Sequence, residues 1–204
     1  LSTRRQRQMC IRDSDNDIYL VNQFYTWTNS LVPNKFPSLD GEHPRMVIPF
    51  RDSNGDIFAY QGRAFGKEKP NYITFILDES VPKIFGLDRV DTSRDIFVVE
   101  GPIDSLFIQN CIAVAQSDLR VPQYKDKAVL VPDNEPRNRE VIKQIEKAID
   151  ENYRVVVWPD YVRQKDINDM ILSGMDALEI MDIISNNTFQ GLSAKVEFQK
   201  WKKI

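Results

Sequence analysis

Glu100 ends an apolar run, Ile96-Phe-Val-Val, and is followed at once by Gly101 and Pro102. Four apolar residues bounded this way read as a buried strand. Gly101 permits a turn or a close approach, and Pro102 suits the first turn of a helix. A carboxylate so placed sits at the carboxyl rim where open α/β sheets bind ligands. The arrangement recurs at Ala128-Val-Leu-Val-Pro-Asp133-Asn-Glu135, and a third acidic group comes later in Lys165-Asp166-Ile-Asn168-Asp169. Carboxylates held at neighbouring strand ends are what a protein contributes to a magnesium site, because Mg2+ prefers oxygen ligands, keeps several waters and is shared with substrate phosphates. A pair of such ions activates an attacking oxygen and stabilises a leaving one during in-line transfer at phosphorus. Glu100, Asp133, Glu135, Asp166 and Asp169 are therefore the candidate ligands, with Mg2+ or Mn2+ as the ion. Taken singly, Asp104 or Glu135 reads equally well as a solvated loop cap. Three acidic groups in this order within one strand–helix array are what argue for a site. Asp160 also follows a strand, but it lacks an acidic partner and stands behind Asp166 as a candidate.

Strands are expected at residues 96–100, 112–116, 127–132 and 154–158. The clearest helix spans residues 138–151, with Val141, Ile142, Ile145 and Ile149 on one face. Strands that alternate with helices imply parallel pairing with helices on both faces. Further helices are expected near residues 166–172, 177–184 and 192–202. Upstream the pattern differs. Met46-Val-Ile-Pro-Phe50 and Ile57-Phe-Ala-Tyr-Gln61 flank Asp52-Ser-Asn-Gly-Asp56, and Asn-Gly between apolar runs is a strong hairpin signal. Tyr72-Ile-Thr-Phe-Ile-Leu77 reads as another strand, and residues 15–44 are mixed and proline-punctuated. The expected class is α/β: a parallel sheet flanked by helices over residues 93–174, helices over 175–204, and a smaller α+β basic subdomain over 15–92.

The chain has 204 residues, 42% hydrophobic and 28% charged, the composition of a globular protein. No apolar run approaches the roughly 20 residues of a membrane span, no signal peptide is recognisable, and a cytoplasmic setting is expected. Two cysteines, Cys10 and Cys111, and one histidine, His43, leave no basis for a disulfide framework, a zinc ribbon or histidine acid–base catalysis. His43 reads as a surface residue and Cys111 as a small buried hydrophobe. A net charge of −3 argues against a protein that coats nucleic acid by charge alone. It leaves a nucleic-acid enzyme open, since clustered carboxylates lower the formal charge and bound ions restore it locally. Residues 1–14 are far more basic than the remainder of the chain and lack periodicity. They read as translated sequencing-adaptor read-through, with a natural start further upstream, and the competing reading is a basic arm that binds nucleic acid.

Val99-Glu-Gly-Pro-Ile-Asp-Ser-Leu106, Val131-Pro-Asp-Asn-Glu135 and Lys165-Asp-Ile-Asn-Asp-Met-Ile171 together resemble the TOPRIM domain of bacterial and phage primases, topoisomerases and some nucleases. Ile48-Pro-Phe-Arg51, Asn54-Gly55, Gln61-Gly-Arg63, Pro70-Asn-Tyr72 and Lys83-Ile-Phe-Gly-Leu87 resemble the basic subdomain that precedes TOPRIM in bacterial-type primases. The likeness covers about residues 18–204 and is greatest to primase subunits of large tailed phages. It implies that Glu100 acts in acid–base chemistry or as a metal ligand, and that Asp133 is a ligand. Glu135 stands where a second aspartate is usual. Asp166 and Asp169 form the last acidic group, and Asp104 matches an aspartate one turn after the glutamate.

Arg45, Arg51, Arg63, Lys67, Lys69 and Lys83 interleave with Phe50, Phe58, Tyr60, Phe65 and Tyr72. Cations can neutralise template or nucleotide phosphates and aromatics can stack on bases, although periodicity alone favours a solvated basic face over an apolar core face. With the resemblance, Arg51, Arg63, Lys67, Lys69, Tyr72 and Lys83 are expected to contact nucleic acid or nucleotide. The expected function is the catalytic core of a DNA primase, lacking its zinc-binding domain. It would make short RNA primers on single-stranded DNA from ribonucleoside triphosphates, in host cytoplasm if phage-encoded, beside a ring helicase that the family implies. The alternatives are a TOPRIM nuclease and a non-catalytic nucleic-acid-binding module.

Overall fold

A computed structural model describes residues 10–13 and 18–204, which divide into two units, one ending at Lys83 and the other running from Ile84 to Ile204. In the first, Asp52 Oδ1 accepts from the backbone N–H of Asn54 (2.9 Å) and Asp56 (3.0 Å), and Gly55 takes a φ of 88°. This turn joins β3 (Arg45–Arg51) to β4 (Ile57–Ala64), the hairpin expected from Asn-Gly. With β1 (Cys10–Asp13), β2 (Ile18–Val21) and β5 (Tyr72–Ile76) they form an antiparallel sheet in sequential order. Strand β1 lies in the segment expected to lack regular structure. An edge strand pairs through backbone N–H and C=O groups, which every residue but proline carries. The remainder of residues 1–14 lies outside the described residues.

Helix α1 (Phe24–Leu31) was not legible in the sequence. Its aromatic and β-branched residues disfavour a helix, and Gln23 supplies no side-chain cap, so tertiary packing decides. Val21, Phe24, Val47, Tyr60 and Phe75 form one buried cluster. Gly62 admits the helix, since a Cβ there would lie 2.4 Å from the Phe24 ring. Phe50 and Phe58 are also buried. The aromatics expected to interleave with cations therefore split: Phe50, Phe58 and Tyr60 are core, and Phe65 and Tyr72 are exposed.

Arg45 is a core residue too. It is wholly buried over the Phe24 ring, and it donates to Gly62 O (3.0 Å), Asn71 O (3.2 Å), Pro70 O (2.9 Å) and His43 Nε2 (3.0 Å). The Nε2 lone pair is thus engaged and the ring proton sits on Nδ1, against Gly41 O at 2.6 Å. Removing Arg45 would strand buried carbonyls. Arg45→Ala is expected to cost about 3–5 kcal/mol in a denaturant melt, whereas a template-contacting arginine would cost under about 1 kcal/mol.

In the second unit the strands are β6 (Ile96–Val99), β7 (Cys111–Ala113), β8 (Ala128–Leu130), β9 (Arg154–Val156) and β10 (Thr188–Phe189), ordered β10-β9-β8-β6-β7. All neighbours are parallel except β10, which runs antiparallel to β9. Flanking it are α2 (Pro102–Ser105), α3 (Arg139–Asp150), α4 (Ile167–Leu172), α5 (Ala177–Asn186) and α6 (Gly191–Trp201). This is the parallel sheet flanked by helices that the sequence implied. Asn138 caps α3, which buries Val141, Ile142, Ile145 and Ile149, the stripe read from periodicity. Phe85 exchanges backbone hydrogen bonds with Ala113 (2.7 and 3.0 Å), which ties the start of this unit, from Ile84, to β7. Cys111 is buried.

Candidate active site

The acidic residues gather at the carboxyl ends of β6 and β8. Asp104, Asp133 and Asp166 line one narrow recess with Val99, Pro132, Trp158 and Ile167. Glu100 borders an adjoining recess walled by Leu119, Leu130, Val141, Ile145 and Val155. That apolar wall has an electrostatic consequence. Burial first, then Asp133, pushes the Glu100 carboxyl up to about 8, with Lys165 opposing and Glu135 and Asp104 adding to it. Burial likewise raises Asp133 to about 6; Lys165 acts against it, and Asp104 and Asp166 reinforce it. Burial dominates both shifts, and the carboxylates add to it by acting on one another across a short distance.

Local chemistry explains each placement. A Cβ on Gly101 would lie 2.6 Å from Asp104 Oδ2, so the Gly after Glu100 serves a close approach by that carboxylate. Asp104 Oδ1 accepts from the Asn168 backbone N–H at 2.8 Å, tying α2 to the first turn of α4. Asp166 caps α4 by accepting from the Asp169 N–H at 2.7 Å. Glu135 Oε2 accepts from Asn138 Nδ2 at 3.0 Å, at the foot of α3. Lys165 Nζ lies 3.4 Å from Asp133 Oδ2 and 3.6 Å from Glu135 Oε1. Burial works against the Lys165 charge, but Asp133 and Glu135 outweigh that and hold its pKa above the ordinary lysine value.

Among the candidates, Glu100, Asp133, Glu135 and Asp166 are drawn into one electrostatic neighbourhood. Asp169 is exposed one turn further along α4 and contributes its backbone N–H to the Asp166 cap. Asp160 is exposed, pairs with Lys203 at 3.3 Å, and lines a separate cavity with Glu135, not the recess of Asp104, Asp133 and Asp166. Asp104 and Lys165 carry more of the geometry than their local sequence suggested. Asp104 acts through a partner 64 residues away, which no local pattern discloses. Lys165 could have been found as the cation that abuts the third acidic group.

The donor chemistry fits a hard divalent cation: every candidate ligand atom is a carboxylate oxygen, and a cation would offset the burial and like charge that raise Glu100 and Asp133. Among the described residues no three acidic, histidine or cysteine groups already stand close enough to hold an ion. The Lys165 ammonium supplies the counter-charge between Asp133 and Glu135.

On the sheet of the first unit, Arg63 and Tyr72 are cross-strand partners, the guanidinium 5.4 Å from the ring centroid. Gln61 Nε2 donates to Thr74 Oγ1 at 3.2 Å beside them. Lys67 and Lys69 are exposed on the connection after β4. Arg51 donates to Gly55 O at 2.8 Å within its own hairpin, and Lys83 is half-buried. Among the described residues no helix is long and apolar enough to cross a membrane.

A parallel sheet bearing carboxylates at the ends of β6 and β8, preceded by an antiparallel sheet, has the fold of primase catalytic cores. Over 201 residues the chain is 40% identical to the DNA primase of Enterobacteria phage T4, an alignment that takes in 96% of this chain and 58% of that protein. The chain thus spans less than two thirds of that relative. Several solved primase structures share the fold. The Aquifex aeolicus primase, with its zinc-binding and RNA polymerase domains, aligns with a TM-score of 0.61 at 17% identity, over 98% of this chain and 61% of that one. The DnaG primase catalytic domain bound to single-stranded DNA aligns with a TM-score of 0.56 at 17% identity, over 74% and 54%. No family model matches the chain.

Proposed function

We propose that this chain is the catalytic core of a DNA primase, which synthesises short RNA primers on single-stranded DNA. The observation that carries the reading is the placement of Asp133 and Asp166 in one recess, with Glu100 near enough to Asp133 and Glu135 to feel both electrostatically, in a chain 40% identical to a phage primase. Asp133, Glu135 and Asp166 would hold Mg2+, with Asp169 at the rim of the set. Bound there, the ion would supply charge neutralisation at the triphosphate. The 3′-hydroxyl oxygen of one ribonucleotide forms a bond to the α-phosphorus of the next, the bond to the bridging oxygen breaks, and pyrophosphate leaves. Glu100, with its pKa raised to about 8, exchanges protons near neutral pH and would take the hydroxyl proton in its ionised form. Lys165 would turn from the carboxylates to the triphosphate. A ring helicase would be the partner, and host cytoplasm the setting.

Arg51, Arg63, Lys67, Lys69, Tyr72 and Lys83 would contact template or nucleotide. Tyr72→Ala is expected to weaken single-stranded DNA binding about tenfold, the worth of one stacked base. Arg63→Ala is expected to weaken it across all sequences and lower the salt slope by about 1. Fluorescence anisotropy at several salt concentrations reads both.

The test of function is incubation of the protein with single-stranded DNA, labelled ribonucleoside triphosphates and Mg2+, beside a Glu100→Gln control. Short labelled oligomers that disappear with the variant support the proposal. A shortened template would identify a nuclease, and no product at all would leave a binding module.

A further inference from the structure

Asn134 stands between the two carboxylates of the Asp133-Asn-Glu135 turn, and its amide is used at nearly full capacity. Nδ2 donates to Val162 O at 3.0 Å and Gln164 O at 3.1 Å, while Oδ1 accepts from Trp201 Nε1 at 3.0 Å. Its backbone N–H donates to Lys165 O at 2.6 Å. The three side-chain partners lie 28, 30 and 67 residues along the chain. One side chain therefore joins the turn carrying Asp133 and Glu135 to the loop delivering Lys165 and Asp166, and locks both to the end of α6. Trp201 is 5% exposed and stacks on Phe198, with ring centroids 6.0 Å apart. Just beyond it, the Lys203 N–H donates to Pro136 O at 2.8 Å, so the same helix end holds the turn on the far side of Glu135.

We infer that Asn134 and Trp201 form a positioning couple, through which the C-terminal helix sets the spacing of the acidic groups; this rests on reading those groups as cation ligands. The chemistry at 134 demands an amide. Two carbonyls need two donors and the indole N–H needs an acceptor, which leaves only asparagine-like groups. Aspartate would set a carboxylate against two carbonyl oxygens, and alanine would strand all three partners. Mg2+ requires a near-ideal octahedron of oxygens, so small errors in ligand spacing weaken binding even where the fold holds. Groups that orient metal ligands from behind are worth about 10–100-fold in metal affinity.

Trp201→Phe removes the N–H while keeping an aromatic ring against Phe198. Mn2+ affinity of the intact chain is read by electron paramagnetic resonance, with thermal unfolding in metal-free buffer and initial rates against nucleotide concentration alongside. The expected results are about 10–100-fold weaker Mn2+ binding, a fall in kcat with little change in nucleotide KM, and a metal-free melt within a few degrees of wild type. Asn134→Ala reads the same link from its other end should the first variant fold poorly. The double variant should bind Mn2+ no more weakly than the worse single one, because both break one link. Wild-type Mn2+ affinity in the variants, or losses that only track a lowered melting temperature, would overturn the couple. A wild-type chain that binds no Mn2+ would instead sink the metal reading beneath it, and the couple with it.

Discussion

Asp133→Asn is expected to reduce primer synthesis by at least about a hundredfold to a thousandfold, the usual cost of removing one preorganised charged group at a reacting phosphate. The fold should survive. Asp133 is desolvated among Asp104 and Asp166 as like charges, so its ionised form is a liability to the metal-free protein. Neutralising it removes that repulsion, and Lys165, half-exposed to solvent, loses one partner at little cost. The melting temperature in metal-free buffer at pH 7.5 should therefore hold or rise. A chain that unfolds on this substitution would make the aspartate structural. A chain that still makes primers would remove it from the chemistry.

The second large effect concerns pH. Glu100 holds its proton up to about pH 8 in the fold, against an ordinary value of 4.5. Between those values the folded state binds more protons than the unfolded one, so metal-free stability falls as pH rises through the window and levels off above it. At 1.36 kcal/mol for each unit, trimmed for the water that reaches the site, the loss is on the order of 3 kcal/mol. That corresponds to about 5–10 °C in melting temperature for a chain of this size. Asp133 adds a smaller loss between 3.8 and about 6. Glu100→Gln should flatten the profile and melt higher than wild type above pH 7 in EDTA. Saturating Mg2+ should do the same for the wild type, because a bound cation favours the ionised carboxylates. Equal pH slopes in wild type and variant would mean that Glu100 is solvated.

The features legible in the sequence are those written in short range. Strand-end carboxylates at 100, 133 and 135, the Asn-Gly hairpin and the apolar stripe of α3 are each local patterns, and the structure has them where the patterns put them. Pairings across the chain were not legible. Asp104 meets Asn168, Asn134 meets Trp201, and Arg45 is lost in the core among Gly62, Pro70 and Asn71, because tertiary packing chooses partners that spacing cannot name. Helix α1 belongs with these. Its residues favour a strand, and burial of Phe24 over Gly62 overrides them. Cations were the least legible: Arg63 and Arg45 read alike in the sequence, yet one lies beside an exposed tyrosine and the other is sealed inside.

The claim on which the rest depends is that carboxylates from residues 100–166 form one cation site. Mn2+ titration of the wild-type chain and of Asp133→Asn at pH 7.5, read by electron paramagnetic resonance, tests it directly. At least one bound Mn2+ per wild-type chain is predicted, competed away by Mg2+ and lost or greatly weakened in the variant. Absence of binding in the wild type, or equal binding in both chains, would contradict it.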